Sequence, residues 1–209
     1  MSELKVILAS GSPRRRQLLD LIGIPHEVRP SNLDEKIKGK ETPRKHAERL
    51  AREKASVFAK TESDALIIAA DTIVVINGKI LGKPANAVDA GSMLTLLNGR
   101  NHTVITAVAV ARGARLKSGV EEVHVKFRKL AEDEIDSYIA TGEPMDKAGA
   151  YGIQGFGATI VERIEGDYFA VMGLPLVRLT RLLAELGVEY RFGKLSVKPR
   201  VSRSPRAPK

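Results

Sequence analysis

The chain has 209 residues with a formal net charge of +9, 43% apolar and 28% charged side chains, and neither cysteine nor tryptophan. At roughly 100–200 residues per domain, this length predicts one domain or two closely packed lobes. The absence of cysteine excludes a disulfide scaffold, a cysteine-ligated metal and thiol catalysis. Its apolar runs are far shorter than the ~20 residues of a membrane-spanning helix, so we expect no membrane association.

The two ends of the chain bear on localisation and charge. Residues 1–5 are polar and 6–9 are too short for the apolar core of a signal peptide, so we expect a cytoplasmic protein. Residues 194–209 hold six basic side chains, no acidic ones and three prolines. We therefore predict a single domain over 1–193 and a disordered basic tail over 194–209. Such a tail can bind nucleic acid non-specifically, but a solvating role is favoured and no specific nucleic-acid partner is expected.

Strand and helix signals alternate in the first part of the chain. Ser12 and Thr42 each stand before a proline, which is typical of an N-cap followed by the first helical residue. Asn77-Gly78 indicates a hairpin turn. The predicted elements are a strand over 5–9, helices over 13–22 and 43–60, and strands over 66–70 and 73–76.

The second part mixes hairpins with further helices. A glycine-rich stretch over 142–157 separates two groups of elements, and Pro175 begins the last helix before Gly187. The predicted elements are a helix over 87–97, strands over 102–111 and 120–127, a helix over 132–140, a hairpin of strands over 158–164 and 168–172, and a helix over 175–186. This mixture favours an α/β domain with a mixed sheet.

The segment Ser10-Gly11-Ser12-Pro13-Arg14-Arg15 lies where a strand leads into a helix. Free backbone N–H groups, the positive end of the helix, two hydroxyls and guanidinium groups would surround one point there, which predicts a phosphate site. It is not a Walker loop, because the chain has no such pattern. The alternative is a capped helix start with surface arginines.

Two charged residues occur where apolar ones would be expected, and a third is predicted to lie near them. Lys54 lies on the inward face of its predicted helix, where an ammonium needs an anionic partner, unless it extends to solvent. Asp71 interrupts two apolar runs and should have a cation, a metal or a catalytic role, unless it forms a turn between two strands. Lys83, just past the hairpin turn, would fold back towards Asp71; alone it is more typical of a surface.

The stretch over 146–155 contains three glycines, which allow close backbone approach to a ligand. The Gln154 amide offers both a donor and an acceptor for the edge of a base. The competing interpretation is a bulged loop with Tyr151 in the core. The four histidines show no metal-ligand spacing, and we interpret each as a surface or turn residue.

Together these segments resemble the Maf family of nucleoside triphosphate pyrophosphatases, which is related in fold to the inosine triphosphate pyrophosphatases. The resemblance runs along residues 5–187. It implies a two-lobed α/β fold around a twisted mixed sheet, hydrolysis between the α- and β-phosphates of a nucleotide, a divalent metal (Mg or Mn) and a homodimer. The blocks that carry it are Ala9–Arg15, Leu50–Ala55, Ala70–Val74, Leu81–Pro84, Asp146–Gly155 and Gly166–Pro175.

The resemblance also implies roles for individual residues. Arg14, Thr72 and Gln154 match the subgroup that acts on UTP and dTTP rather than the one that acts on 7-methyl-GTP. Asp71 would be the general base or a metal ligand. Asp34 and Glu35, which stand where relatives tend to carry two glutamates, would be metal ligands together with Asp71, although Asp34 departs from that pattern. The residues assigned to the phosphates are Ser10, Ser12, Arg15, Lys54 and Lys83.

Two other functions stay open from the sequence. One is a nucleotide-binding regulator of cell division that does not turn nucleotides over, an idea associated with this family through septum formation. Such a regulator needs no general base, whereas Asp71 supplies a buried-looking carboxylate beside the expected phosphate site, which favours an enzyme. The other is a nucleic-acid-binding module, which only the basic tail supports.

Overall fold

A computed structural model of the chain describes residues 4–197, and its centre is a mixed sheet of seven strands. The order across the sheet is β2-β1-β3-β5-β6-β7, with β4 paired to β3. β1 runs parallel to β2 and β3, and the other pairs are antiparallel, which confirms the predicted mixed sheet. The strands are β1 (Val6–Leu8), β2 (Glu27–Val28), β3 (Leu66–Ile76), β4 (Lys79–Leu81), β5 (Asn101–Arg112), β6 (Arg115–Phe127) and β7 (Val161–Glu165).

Six α-helices accompany the sheet within residues 4–197. The Thr42 hydroxyl caps the second helix by accepting from Lys45 N at 3.3 Å, whereas Ser12 holds the N-cap position of the first without a side-chain capping bond. In this same part of the chain, no helix is both long and apolar enough to span a bilayer. The helices are α1 (Pro13–Leu21), α2 (Pro43–Ala59), α3 (Ala87–Leu97), α4 (Glu132–Ala140), α5 (Tyr168–Met172) and α6 (Leu176–Glu185), with short 3-10 turns at Glu143–Asp146, Ala148–Ala150 and Gly155–Thr159.

Both faces of β3 are covered, which explains its nearly continuous apolar sequence. Leu66 and Ile68 join a cluster with the leucines of α1 and α6. Ile67 and Ala69 join a second cluster with α2, which presents alanines to the sheet. A third cluster surrounds the far end of β3 with α3 and α4. The face of α2 that carries Lys54 therefore packs directly against β3.

Residues 66–76 form one strand, so the prediction of two strands separated at Asp71 is wrong. The pairing with β5 continues without interruption from Leu66 to Val75, and Asp71 lies opposite Ala107. The turn interpretation of Asp71 is therefore wrong as well. The polar residue interrupts the apolar pattern of the side chains, but the backbone ladder needs no apolar side chain and continues past it.

The predicted hairpin over 158–172 is half wrong. β7 pairs with β6, but Tyr168–Met172 forms α5. The Asp167 carboxylate accepts from Phe169 N at 2.8 Å, which caps this helix, and Gly173, at φ +108°, ends it. A five-residue apolar run fits a buried strand or a buried helical turn equally well, and here the cap decides.

The end of the described chain is a hairpin of β8 (Val188–Arg191) and β9 (Lys194–Val197). Residues 194–197 thus belong to this hairpin rather than to the predicted tail. The Tyr190 hydroxyl donates to Ile22 O at 2.8 Å and ties the hairpin to the end of α1. The rest of the predicted tail, residues 198–209, lies outside the described residues.

The glycine-rich stretch packs tightly against β3 at Gly149. Its φ is +70°, and a Cβ there would lie 2.8 Å from Val74 Cγ2. Gly142 has a similar φ of +74° but open space around it. We expect Gly142→Ala to cost ~1 kcal/mol and Gly149→Ala to cost a further ~1–3 kcal/mol from overpacking. Urea unfolding measures both, and equal losses would show that the contact with Val74 is unimportant.

Candidate active site

A cleft of about 940 Å³ lies between the turn before α1, the middle of β3 and the glycine-rich stretch. Each element presents its polar side chains to the same space, although they are far apart in the sequence. Of the predicted site residues, the cleft is lined by Ser10, Ser12, Arg14, Arg15, Glu35, Lys54, Asp71, Thr72, Lys83 and Gln154.

Lys54 links two carboxylates at the floor of the cleft. Its Nζ lies 2.7 Å from Asp71 Oδ1 and 2.6 Å from Glu35 Oε1. Lys54 and Asp71 are 6% and 4% exposed. The prediction of an inward lysine with an anionic partner is therefore confirmed, and the solvent-facing alternative is wrong. Breaking such a buried pair leaves an uncompensated charge, which makes it costly to disturb.

Glu35 stays ionised in this cluster. Burial raises the pKa of its carboxyl, but the hydrogen bond from Lys54 and the charges of Lys54, Lys83 and Arg15 outweigh it and place the pKa below its ordinary value. Two carboxylates and one ammonium thus share one small volume.

Arg15 is a buried guanidinium that organises the turn before α1. It donates to Gly173 O at 2.8 Å, Ser10 Oγ at 2.9 Å and Thr72 Oγ1 at 3.2 Å. A guanidinium has five N–H groups, so two remain for a ligand in the cleft. The interpretation of this segment as a capped helix start with surface arginines is wrong for Arg15, which is 9% exposed.

Thr72 belongs to a chain of hydroxyls that ends inside the core. The Thr106 hydroxyl lies 2.7 Å from Ala170 O and 3.0 Å from Thr72 Oγ1. A hydroxyl has one proton, and Thr106 gives it to the carbonyl, so Thr72 donates to Thr106 and accepts from Arg15. Thr106 was not predictable as a site residue, because a threonine within an apolar strand carries no functional signal in the sequence.

Arg14 connects two walls of the cleft. Its Nη1 lies 3.0 Å from Asp146 Oδ2, and its Nη2 donates to Asp146 O at 3.3 Å. Asp146 Oδ1 also accepts a hydrogen bond from Lys147 Nζ at 2.7 Å. Arg14 is thus shared between the cleft and the glycine-rich stretch. Lys83 and Gln154, in contrast, are exposed at the cleft and make no side-chain hydrogen bond to any residue from 4 to 197.

Tyr151 packs in the core, as the second interpretation of the glycine-rich stretch predicted. Its ring lies edge-on to Phe127 at 4.6 Å, and its hydroxyl is 2.8 Å from His102 Nε2. The surface interpretation of the histidines is wrong for His102 and His46, each 3% exposed. Burial lowers the pKa of His102 to about 4, so this imidazole is neutral at physiological pH.

Asp34 does not join Glu35 and Asp71. Its side chain is 67% exposed, accepts from Lys36 N at 3.2 Å and lies 3.1 Å from Lys36 Nζ. Between residues 4 and 197 no group of three or more histidines or carboxylates is arranged to hold a metal. Of the three predicted metal ligands, the structure brings together only Glu35 and Asp71.

The chain is similar to known proteins over most of its length. The family model described as Maf-like protein matches residues 5–186. A dTTP/UTP pyrophosphatase of Moorella thermoacetica is 51% identical over 187 residues, which cover 88% of this chain and 96% of that relative. Another from Bacillus cereus is 46% identical over 185 residues, covering 88% and 97%. A solved Ham1 protein of Staphylococcus aureus has a TM-score of 0.46 at 16% identity, covering 75% of this chain and 79% of that one.

Proposed function

Since the chain belongs to the Maf-like protein family, we propose that it hydrolyses dTTP and UTP between the α- and β-phosphates, releasing the monophosphate and pyrophosphate. Nearly the whole length of the relatives named dTTP/UTP pyrophosphatase aligns with this chain. The observation that carries the proposal is the buried Asp71 carboxylate, held by Lys54 in a cleft rich in cationic side chains. A desolvated charge is costly to keep, and such groups concentrate at catalytic sites, which favours catalysis over binding alone.

The cleft matches the charge of a nucleoside triphosphate. A triphosphate carries about four negative charges, and Arg14, Arg15, Lys54 and Lys83 all line the cleft. The two N–H groups that Arg15 has left, and the exposed Lys83 ammonium, would meet phosphate oxygens. Preorganised cations of this kind stabilise the charge that develops on a pyrophosphate leaving group.

Asp71 would act on the attacking water. In the described part of the chain only Oδ1 has a hydrogen-bond partner, so Oδ2 is left to accept a proton. As the water oxygen bonds to the α-phosphorus, its proton passes to Asp71, and the bond from the α-phosphorus to the bridging oxygen breaks. The electron pair of that bond leaves with the pyrophosphate, where the lysines and arginines of the cleft offset its charge.

A divalent cation fits two of these residues. Mg²⁺ is usually held in proteins by one or two carboxylates together with waters and substrate phosphates. Glu35 and Asp71 converge on the point that Lys54 Nζ fills, so these two carboxylates would hold Mg²⁺ or Mn²⁺ with the Lys54 ammonium turned aside towards the phosphates, and Asp34 would not. A bound cation would supply charge neutralisation and a more acidic water. Asp71 can then serve as general base or as ligand.

Base preference is the sharpest test of the proposal. We expect pyrophosphate release from dTTP and UTP with similar kcat/KM, because no group identified in the described cleft distinguishes their sugars, and little release from purine triphosphates. Gln154→Ala should reduce the preference over GTP, because we assign the exposed Gln154 amide, which lines the cleft, to the edge of the base. Efficient turnover of 7-methyl-GTP with little of UTP would overturn the pyrimidine assignment. No turnover of any triphosphate would favour the regulator.

Two further properties accompany this proposal. We expect the protein in the cytoplasm, where its nucleotide substrates are found, which fractionation can check. The homodimer expected from the family resemblance stays a prediction, and light scattering of the full chain would measure it.

A further inference from the structure

A carboxylate outside the predicted site holds the segment that carries Gln154. Glu143 accepts from Phe156 N at 2.8 Å and Gly157 N at 3.0 Å, and from the Tyr138 hydroxyl at 2.9 Å. The same hydroxyl accepts from Gly152 N at 3.1 Å. Three backbone N–H groups, one before Gln154 and two after it, thus converge on one pair of side chains. We call Glu143 and Tyr138 the clamp.

We propose that the clamp positions Gln154 for base recognition, so that Glu143 and Tyr138 determine substrate preference without touching the substrate; this rests on the proposed function. Gln154 itself makes no side-chain hydrogen bond within residues 4–197, and it is exposed at the cleft. Its amide can therefore select a base only if the backbone beneath it is fixed. A site discriminates by hydrogen bonds only when its groups are held in place before the ligand arrives.

The chemistry of the clamp requires a carboxylate. Burial raises the pKa of Glu143, but the backbone N–H groups of 157 and 156 and the Tyr138 hydroxyl outweigh it, so its pKa lies below the ordinary value. An ionised carboxylate is an acceptor only, and the partners of these two oxygens within residues 4–197 are all donors. An amide would turn its own NH₂ group towards one of those donors.

The segment also closes tightly onto the clamp. Gly155 has φ +64°, and a Cβ there would collide with the Glu143 carboxylate. A Cβ on Gly157 would collide with Gly152 O and lie 2.7 Å from the Tyr138 hydroxyl. The glycine-rich stretch, whose glycines were expected to permit close approach of a ligand, therefore also contains two that permit close approach of the clamp.

The clamp is continuous with Arg14 on the neighbouring wall of the cleft. Lys147 Nζ donates to Glu143 O at 2.5 Å and to Asp146 Oδ1 at 2.7 Å. Asp146 in turn receives Arg14. A displacement of Glu143 would therefore reach both Gln154 and Arg14, the two residues that the resemblance assigns to base preference together with Thr72.

The test compares Glu143→Gln and Tyr138→Phe with the wild-type chain. Tyr138→Phe keeps the packed ring and removes the shared hydroxyl, so it remains informative if Glu143→Gln folds poorly. We expect the ratio of kcat/KM for dTTP over GTP to fall on the order of tenfold in Glu143→Gln and less in Tyr138→Phe. The kcat for dTTP should change little, because the side-chain hydrogen bonds of the clamp join it to the glycine-rich stretch rather than to Asp71.

Amide hydrogen exchange gives a second measurement that needs no substrate. Exchange at residues 152–157 should accelerate in both variants. Glu134→Gln is the matched control: Glu134 also accepts a backbone N–H, from Ala131 at 3.0 Å, but its side-chain partner is Arg128, away from the cleft. It should change neither the ratio nor the exchange of 152–157.

Two results would overturn the clamp. One is an unchanged dTTP-to-GTP ratio in the folded variants, or an equal loss for both nucleotides, which a merely structural role produces. The other is unchanged exchange at 152–157. If the wild-type chain cleaves neither dTTP nor UTP, the proposed function fails, whereas the exchange experiment still decides whether the clamp orders this segment.

Discussion

Asp71→Asn should lower kcat for dTTP by about 10²–10⁴, the loss typical of a missing general base. The amide keeps the shape of the side chain and can still accept from Lys54, whose Nζ lies 2.7 Å from Oδ1. Lys54 also keeps its contact with Glu35, so the fold should survive. What the variant loses is the basic oxygen that would receive the proton of the attacking water. Single-turnover hydrolysis measures this step directly.

Binding separates this effect from a damaged site. Because the Asp71→Asn substitution removes a negative charge from a cleft that receives an anionic triphosphate, dTTP should bind to the variant at least as tightly as to wild type. Asp136→Asn, which removes one exposed carboxylate on α4, is the control and should leave kcat unchanged. Near-normal turnover by folded Asp71→Asn would remove Asp71 from the mechanism. Loss of Mn²⁺ affinity without nucleotide would favour the ligand role.

The site residues that the sequence predicts best are the charged ones that interrupt an apolar pattern. Lys54 stands on an inward helix face and Asp71 within an apolar run, and a desolvated charge needs a partner. The ion pair between Lys54 and Asp71 gives each of these two charges its partner. The same carboxylate led to the wrong prediction of two strands, because it interrupts the apolar side-chain pattern without interrupting the backbone hydrogen bonds of β3.

The clamp shows what sequence patterns leave out. Tyr138 lies on the buried face of α4 and Glu143 in a short 3-10 turn, and neither departs from what such positions usually carry. Their importance depends on which backbone N–H groups the glycine-rich stretch turns towards them. That is decided by tertiary packing, as is the partnership of Thr72 with Thr106 across two strands. The mixed sheet was predictable because hydrophobic periodicity indicates strands and helices without any knowledge of which side chains meet in the fold.

Lys54→Met should lower kcat/KM for dTTP by about 10²–10³, because it removes a preorganised cation from the floor of the cleft. The loss should be similar for UTP and GTP, since Lys54 contacts Glu35 and Asp71 rather than the Gln154 segment. Lys54→Arg keeps the charge and should retain more activity. Lys45→Met, on the exposed side of the same helix, is the control. A changed dTTP-to-GTP preference without weaker binding would contradict a phosphate role for Lys54.

The pH dependence of the variant follows from Glu35. Burial raises the pKa of this carboxyl, and in the wild type Lys54 is the foremost of the groups that bring it below the ordinary value of 4.5. Without Lys54 its hydrogen bond and its charge are lost, so the pKa of Glu35 rises and the acidic limb of kcat/KM should move to higher pH.

The same shift should appear in stability. A group with a lowered pKa stabilises the fold above its unfolded pKa and loses that contribution as pH falls through the folded value. The stability gap between wild type and Lys54→Met should therefore be widest near neutral pH and narrow on acidification below 4.5. Urea unfolding at several pH values measures it, and a gap independent of pH would show that Lys54 stabilises the cleft by packing alone.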